Sequence, residues 1–306
     1  MSILVTGASG FVGRAIVVAL RRAGHAVRTA GHSSINVDYR IPLGIGADWS
    51  GAVAGCETVV HAGALAHVLN RKAAQAAASF DEINTHGTLV LAEAAAKVGV
   101  TNFIFISSIA AMGDPGDQPT RETDPANPTT PYGRSKRAAE VGLAEIADHS
   151  ELTITCLRPP LVYGPDAGGR FAQMLAWCDR RLPLPFGGID NQRSYLGVEN
   201  LADAVCTAVA QPHSGIYHVA DRGSLSTPQL LELVGQGLGK PARILTIPKR
   251  GMGALRRIGM AQPIDKLTQT LLLDGSKFER TFNWSPPTEL KDGILESARR
   301  YRSGRR

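Results

Sequence analysis

Between residues 3 and 30 the chain specifies one supersecondary unit, and that unit constrains everything after it. Ile3-Leu4-Val5-Thr6 is a short apolar run of β character, broken by Gly7-x-x-Gly10-x-x-Gly13. From Arg14 to Ala23 the residues Ala15, Ile16, Val18, Ala19 and Leu20 supply the buried face of a helix. Gly24 closes that helix, and His25 to Ala30 reads as a second strand. Strand, glycine loop, helix and strand form a right-handed crossover, the opening unit of a parallel sheet. The glycines permit a tight turn and close backbone approach. The helix N-terminus that follows offers free N–H groups and a positive dipole end to a diphosphate. A glycine triplet alone says little; placed here, Gly7, Gly10, Phe11, Val12 and Gly13 read as a dinucleotide site rather than a plain strand-to-helix turn.

The alternation continues. Glu57–His61 is a buried strand, Asn70–Lys97 is alanine-rich and helical, and Phe103–Ser107 is a strand apolar on both faces. Tyr132–Asp148 is helical and Leu152–Leu157 is a further strand. This predicts an α/β protein with a doubly wound parallel sheet of Rossmann type. After residue 158 the rhythm breaks into Gly- and Pro-rich loops and helices, which predicts a smaller, mainly helical C-terminal lobe. The expected division is a dinucleotide-binding domain over 1–160 plus about 195–222, and a substrate-binding lobe over about 161–194 and 223–300. Residues 301–306 are expected to be a disordered basic tail.

Composition removes other classes. The formal charge of the 306-residue chain is +6, but residues 299–306 hold five arginines and no acid, so the body is nearly neutral. A basic groove for nucleic acid is not expected. No apolar run is long enough to predict a membrane span, and no signal peptide is expected. Cys56, Cys156, Cys178 and Cys206 are scattered, which predicts neither a disulfide scaffold nor a metal site and fits the cytoplasm.

Tyr132 and Lys136 lie four residues apart, on one face of a helix. A nearby cation stabilises phenolate, so the expectation is a tyrosine of lowered pKa that serves as general acid/base. Ser107-Ser108 closes the strand 103–107, where the carboxyl ends of parallel strands meet ligands. Each feature alone has an ordinary explanation, a solvated helix face or the cap of a turn.

Taken in order, the glycine loop, Asn84, Ser108 and Tyr132-x-x-x-Lys136 resemble the extended short-chain dehydrogenase/reductase family, in particular its nucleotide-sugar epimerases, dehydratases and reductases. Val60-His61-Ala62-Gly63-Ala64, Ile83–Thr88, Arg158-Pro159-Pro160-Leu161-Val162-Tyr163-Gly164-Pro165, Arg193–Asn200, Asp274–Lys277 and Trp284-Ser285-Pro286 extend the likeness over nearly the whole chain. The resemblance implies Tyr132 as acid/base, Lys136 on the nicotinamide ribose and Ser108 on the reacting oxygen. It places Ala62, Gly63, Ala64, Asn84, Ser107 and Pro159 beside the cofactor. It has Asp48, with Trp49, read the adenine and Arg193 grip a substrate diphosphate. No metal is expected; a homodimer is.

Departures narrow the reading. Dehydratases carry an Asp-Glu pair directly after the strand-end hydroxyl; here Ile109 and Ala110 stand there, so 4,6-dehydration is not expected. No acid follows the second strand to hold the 2′-hydroxyl of NAD, whereas Arg28, His32 and Ser33 are placed for a 2′-phosphate. The cofactor is NAD or NADP, with the balance toward NADP. Leu161 replaces an asparagine common in epimerases, and Arg256, Arg257 and Lys266 are loose candidates for a second diphosphate cation. The leading expectation is a UDP-sugar 4-epimerase acting through a transient 4-ketone. The alternatives are an NAD(P)H-dependent reductase of a 4-keto-6-deoxy nucleotide sugar in polysaccharide or O-antigen synthesis, and a non-catalytic dinucleotide sensor.

Overall fold

A computed structural model describes residues 1–32, 36–66, 73–113, 116, 118–246 and 267–304. The apolar runs become strands β1 (Ser2–Thr6), β2 (Ala26–Gly31), β3 (Tyr39–Arg40), β4 (Thr58–His61), β5 (Asn102–Ile106) and β6 (Thr153–Arg158). After the short strands β7 (Leu161–Tyr163), β8 (Pro183–Leu184) and β9 (Tyr195–Gly197), β10 (Gly215–His218) returns to pair with β6. The main sheet is parallel and seven-stranded, in the order β10-β6-β5-β4-β1-β2-β3. The order reverses between β1 and β4, which opens a crevice at their carboxyl ends.

Alternation along the central strands sends side chains to two buried layers. Ile3, Val5, Ile104 and Ile106 pack in one layer with helices α1 (Phe11–Arg22) and α7 (Val198–Ala210). Leu4, Phe103 and Phe105 face the other, with Leu91 and Ala139 from α4 (Gly87–Lys97) and α5 (Pro131–Asp148), while α2 (Ser50–Val53) adds Ala52 and Val53. Each large apolar side chain so buried contributes about 1.5–3 kcal/mol. A third cluster joins Phe171, Met174 and Leu175 of α6 (Gly169–Asp179) to Leu230, Leu231 and Val234 of α8 (Thr227–Gly237). A short strand β11 (Arg243–Ile244) pairs with β8, and α9 (Ser276–Phe282) lays Phe278 and Phe282 on the first layer.

Two sequence expectations change. The long helix expected over 70–97 is described from α3 (Ala73–Phe80) onward, and it is not uniform: a π-helical turn at Asp81–His86 joins it to α4. The last helix, α10 (Leu290–Ser303), carries residues 301–303 out of the expected tail. Ile294 and Ala298 anchor it in the core, Arg302 Nη1 donates to the Leu238 carbonyl at 2.8 Å, and Arg300 pairs with Glu199 at 2.8 Å.

Candidate active site

The crevice floor is glycine for two different reasons. Gly7 has φ +66°, and a Cβ there would lie 2.5 Å from Gly63 N; a Cβ on Gly13 would lie 2.1 Å from Gly7 O. Packing therefore demands both. Among the described residues a Cβ on Gly10 would meet only Gly7 O, at 3.2 Å, so Gly10 borders space that no atom of those residues fills. Gly10 is also the N-cap of α1, with no side-chain cap over the first turn. A backbone cradle that a Cβ would fill, beneath an uncapped helix start, fits a dinucleotide diphosphate.

Opposite, Ala62 N donates to Thr6 O at 3.2 Å, and Gly63 lies beneath Leu43, while Ala64 is exposed. The π-turn presents Asn84, whose Oδ1 accepts from Leu65 N at 2.8 Å while Nδ2 donates to Leu65 O at 3.0 Å and Ser135 Oγ at 3.1 Å. One buried amide thus ties the loop after β4 to α5. An extra residue per turn redirects a side chain that a regular helix would aim elsewhere. His61, fully buried between Thr6 and Thr88, is held down to about 3 by burial and then by the Lys136 charge, so it is a neutral core residue.

Ser108, Tyr132 and Lys136 come together at the ends of β5 and α5. Ser108 caps the 3-10 turn Ile109–Ala111, accepting from Ala110 N at 3.2 Å, and its hydroxyl is the group that opposes burial in setting the Tyr132 pKa. Thr130 caps α5, with Pro131 in the first turn, and so fixes where Tyr132 sits. Phe80 packs edge-on to the Tyr132 ring at 6.0 Å. Lys136 is buried; Nζ donates to Ile106 O at 2.8 Å and lies 4.4 Å from the Phe105 ring centre. Burial brings Lys136 down to about 7. The Tyr132 pKa is raised, by burial, with the Ser108 hydrogen bond opposing. This corrects the expectation of a lowered value: the ammonium is turned to the Ile106 carbonyl and does not offset the desolvation of the phenol.

Other expected residues have structural partners. Ser107 Oγ donates to Glu140 Oε1 at 2.6 Å, and Pro159 O accepts from Ile109 N at 3.0 Å, holding the turn after Ser108. Asp48 Oδ1 accepts from Ser50 N at 3.0 Å and Ser50 Oγ at 2.6 Å, closing a turn onto the first residue of α2; Trp49 is buried in the second core layer. Leu43, against Gly63, also reaches the crevice; its apolar side chain gave no sequence signal. His32 is exposed at the end of β2, but Arg28 Nη1 is spent on the Ala52 and Ala54 carbonyls at 3.4 and 2.5 Å. Ser33, Arg256, Arg257 and Lys266 lie outside the described residues.

Arg193 is 8% exposed and bridges the lobe by its backbone to Leu225 and Leu271. Its Nη1 donates to Gln269 O at 2.6 Å, and its guanidinium bonds the Tyr195 hydroxyl. Glu199, one conceivable ion-pair partner, is taken by Arg300. Arg170, in the first turn of α6, faces the Arg193 charge, which together with burial lowers its pKa. Among the described residues no carboxylate pairs with either. Sequence reading missed Arg170 because nothing in its neighbours marks it; only the fold brings it to Arg193.

The profile of the NAD dependent epimerase/dehydratase family matches residues 3–220. A UDP-glucose 4-epimerase from Vibrio cholerae is 33% identical, over 98% of this chain and 95% of that protein. One from Mycolicibacterium smegmatis is 29% identical, over 99% of each. Among solved structures, a Thermus thermophilus UDP-glucose 4-epimerase complex with NAD superposes with a TM-score of 0.78 at 26% identity, covering 99% of both chains. The Thermotoga maritima UDP-glucose 4-epimerase with UDP-glucose, at 24% identity and a TM-score of 0.81 over the full length of both, shares the fold. The chain belongs to the NAD dependent epimerase/dehydratase family.

Proposed function

We propose that this protein is an NAD-dependent epimerase acting at C4 of a UDP-hexose. The observation that carries this reading is the grouping of Ser108, Tyr132 and Lys136 after β5, on the same carboxyl edge of the parallel sheet as the Gly10 cradle after β1, with Ile109 and Ala110 following Ser108. Neither of those two side chains can carry a proton, so the site supports oxidation and reduction at one carbon but not elimination of water.

The cofactor would lie along Gly7–Gly13, with the loop after β4 and Asn84 on its other side, and Lys136 would hold its ribose. When bound, it takes a hydride from the sugar carbon and returns it. Tyr132 accepts the proton of the sugar hydroxyl as hydride leaves and gives it back as the ketone is reduced. Ser108, whose hydroxyl acts on the Tyr132 phenol, would hold the same sugar oxygen. In the structure the Lys136 ammonium is turned to the Ile106 carbonyl and the phenol is protonated, so the base role requires that ammonium to turn toward Tyr132, where a cation favours phenolate. Arg193, with Arg170 near it, would take the substrate diphosphate: two guanidiniums that no carboxylate among the described residues pairs, one of them nearly buried, suit a dianion. On this reading the cluster around α6 and α8 is the substrate lobe.

We assign NAD rather than NADP. With Arg28 committed to carbonyls, His32 is the remaining described side chain named for a 2′-phosphate, and it is exposed. Of the structures above, the Thermus thermophilus epimerase is described in complex with NAD. Four free cysteines agree with a reducing cytoplasm. The test is to denature freshly purified protein and identify the dinucleotide released. An epimerase regenerates its cofactor and retains it, so NAD⁺ near one equivalent is expected. An empty protein that consumes NADPH stoichiometrically on a 4-keto sugar nucleotide is the reductase alternative.

A further inference from the structure

We propose that Glu140 is a positioning residue that keeps Lys136 cationic. The inference rests on the reading of Lys136 as the cofactor-holding cation. Glu140 lies one turn beyond Lys136 on α5, so the two side chains are neighbours on one helix face. They reach consecutive residues at the end of the same strand: Lys136 Nζ goes to Ile106 O at 2.8 Å, and Glu140 Oε1 accepts from Ser107 Oγ at 2.6 Å.

Arg158 fixes the carboxylate from β6 by a two-point fork, Nε to Oε1 at 2.8 Å and Nη2 to Oε2 at 2.6 Å, with Arg137 Nη1 adding 3.3 Å from the helix. Both members of the fork are buried, the arginine 1% and the carboxylate 0% exposed. A buried ion pair is poor value as a stability device, since apolar packing does as well. Its placement here does something packing cannot: it holds a negative charge one turn from an ammonium that burial is stripping of its proton.

The other titratable groups around Lys136 do not do this. His61 from β4 is neutral above about 3, and Cys156 from β6 is a thiol whose pKa is raised by burial. Tyr132 on α5 is a neutral phenol. Arg137 and Arg158 are cations, and His218, paired with Arg158 across β10 and β6, has its pKa lowered by burial. Against burial, the Glu140 charge is the largest influence raising the Lys136 pKa.

The test follows the side-chain amine of Lys136 by NMR titration in lysine-labelled protein, assigned with Lys136→Met; it needs no substrate and does not depend on which reaction is catalysed. Glu140→Gln should lower the Lys136 pKa by at least about one unit, whereas Glu140→Asp, which keeps the charge, should stay near wild type. The alkaline limb of the pH–rate profile should move down with the pKa in Glu140→Gln alone. Because that variant leaves Arg158 buried and unpaired, Glu140→Gln/Arg158→Gln is made beside it; with no orphan charge it should fold and still show the lowered Lys136 pKa. An unchanged Lys136 titration in either folded variant, or the same shift in Glu140→Asp, overturns the proposal.

Discussion

The glycine loop offers a perturbation whose two outcomes separate by position. In Gly13→Ala the new methyl would stand 2.1 Å from Gly7 O, 2.7 Å from Gly7 C and 2.9 Å from Ala8 Cα. All three are backbone atoms, so no rotamer relieves the overlap, and a cost of about 1–3 kcal/mol or more is expected. In Gly10→Ala the one contact is Gly7 O at 3.2 Å, and φ is −76°, open to any residue. Replacing glycine by alanine at a helix N-cap costs about 1 kcal/mol or less. At roughly 2–4 °C per kcal/mol for a chain of this order, Gly13→Ala should melt roughly 5–10 °C below wild type and Gly10→Ala within about 3 °C. Binding should rank the other way for its cause: the Gly10 methyl enters the space left for the diphosphate, and 1.4 kcal/mol of overlap is already about tenfold. Gly10→Ala should therefore weaken NAD at least about tenfold, and Gly10→Val more, with the fold intact. Melting curves on dinucleotide-free protein and calorimetric titration with NAD measure both. Unchanged NAD affinity in Gly10→Val, or wild-type melting in Gly13→Ala, refutes the reasoning.

Tyr132→Phe should leave NAD affinity nearly intact and cut kcat by ~10²–10⁴-fold; retention of half the wild-type turnover would remove it as acid/base. Arg193→Ala should raise KM for a UDP-sugar at least about tenfold, with Arg193→Lys only partly restoring it, while NAD binding stays put; a KM within twofold with a clear loss of Tm would make Arg193 purely structural. Arg170→Ala should weaken UDP more than UMP, and equal losses would place Arg170 away from the diphosphate. His61 is depressed from 6.5 to about 3, so it binds fewer protons folded than unfolded; its contribution is present above about pH 6.5 and lost as pH falls toward 3. His61→Gln should flatten stability across that window in acid unfolding, and an unchanged slope would contradict the assignment.

What could be read from the residues was what is local in the chain. Strand, glycine loop and helix announce themselves by period and punctuation, and Tyr132 and Lys136 by their spacing of four on one helix. The comparisons support the family that these motifs suggested. What stayed hidden depends on contacts between distant segments. Arg28 looked free beside the second strand, yet the carbonyls that occupy it come from residues 52 and 54. The turn in which Asp48 Oδ1 closes on Ser50, two residues on, was not anticipated either. The π-turn that aims Asn84, the Arg170–Arg193 pairing and the Glu140–Arg158 fork leave no periodic trace, because each is set by packing across the sheet or between lobes.

The central claim is that a retained cofactor serves both halves of a C4 inversion. NMR of UDP-galactose and UDP-N-acetylgalactosamine, each incubated with purified enzyme and no added nicotinamide, tests it most directly. The account predicts conversion of at least one to its C4 epimer, approached from either side, with no net change in nicotinamide absorbance. No epimer from either sugar by NAD-loaded enzyme, together with one-for-one NAD(P)H consumption on a 4-keto-6-deoxy sugar nucleotide, would contradict it.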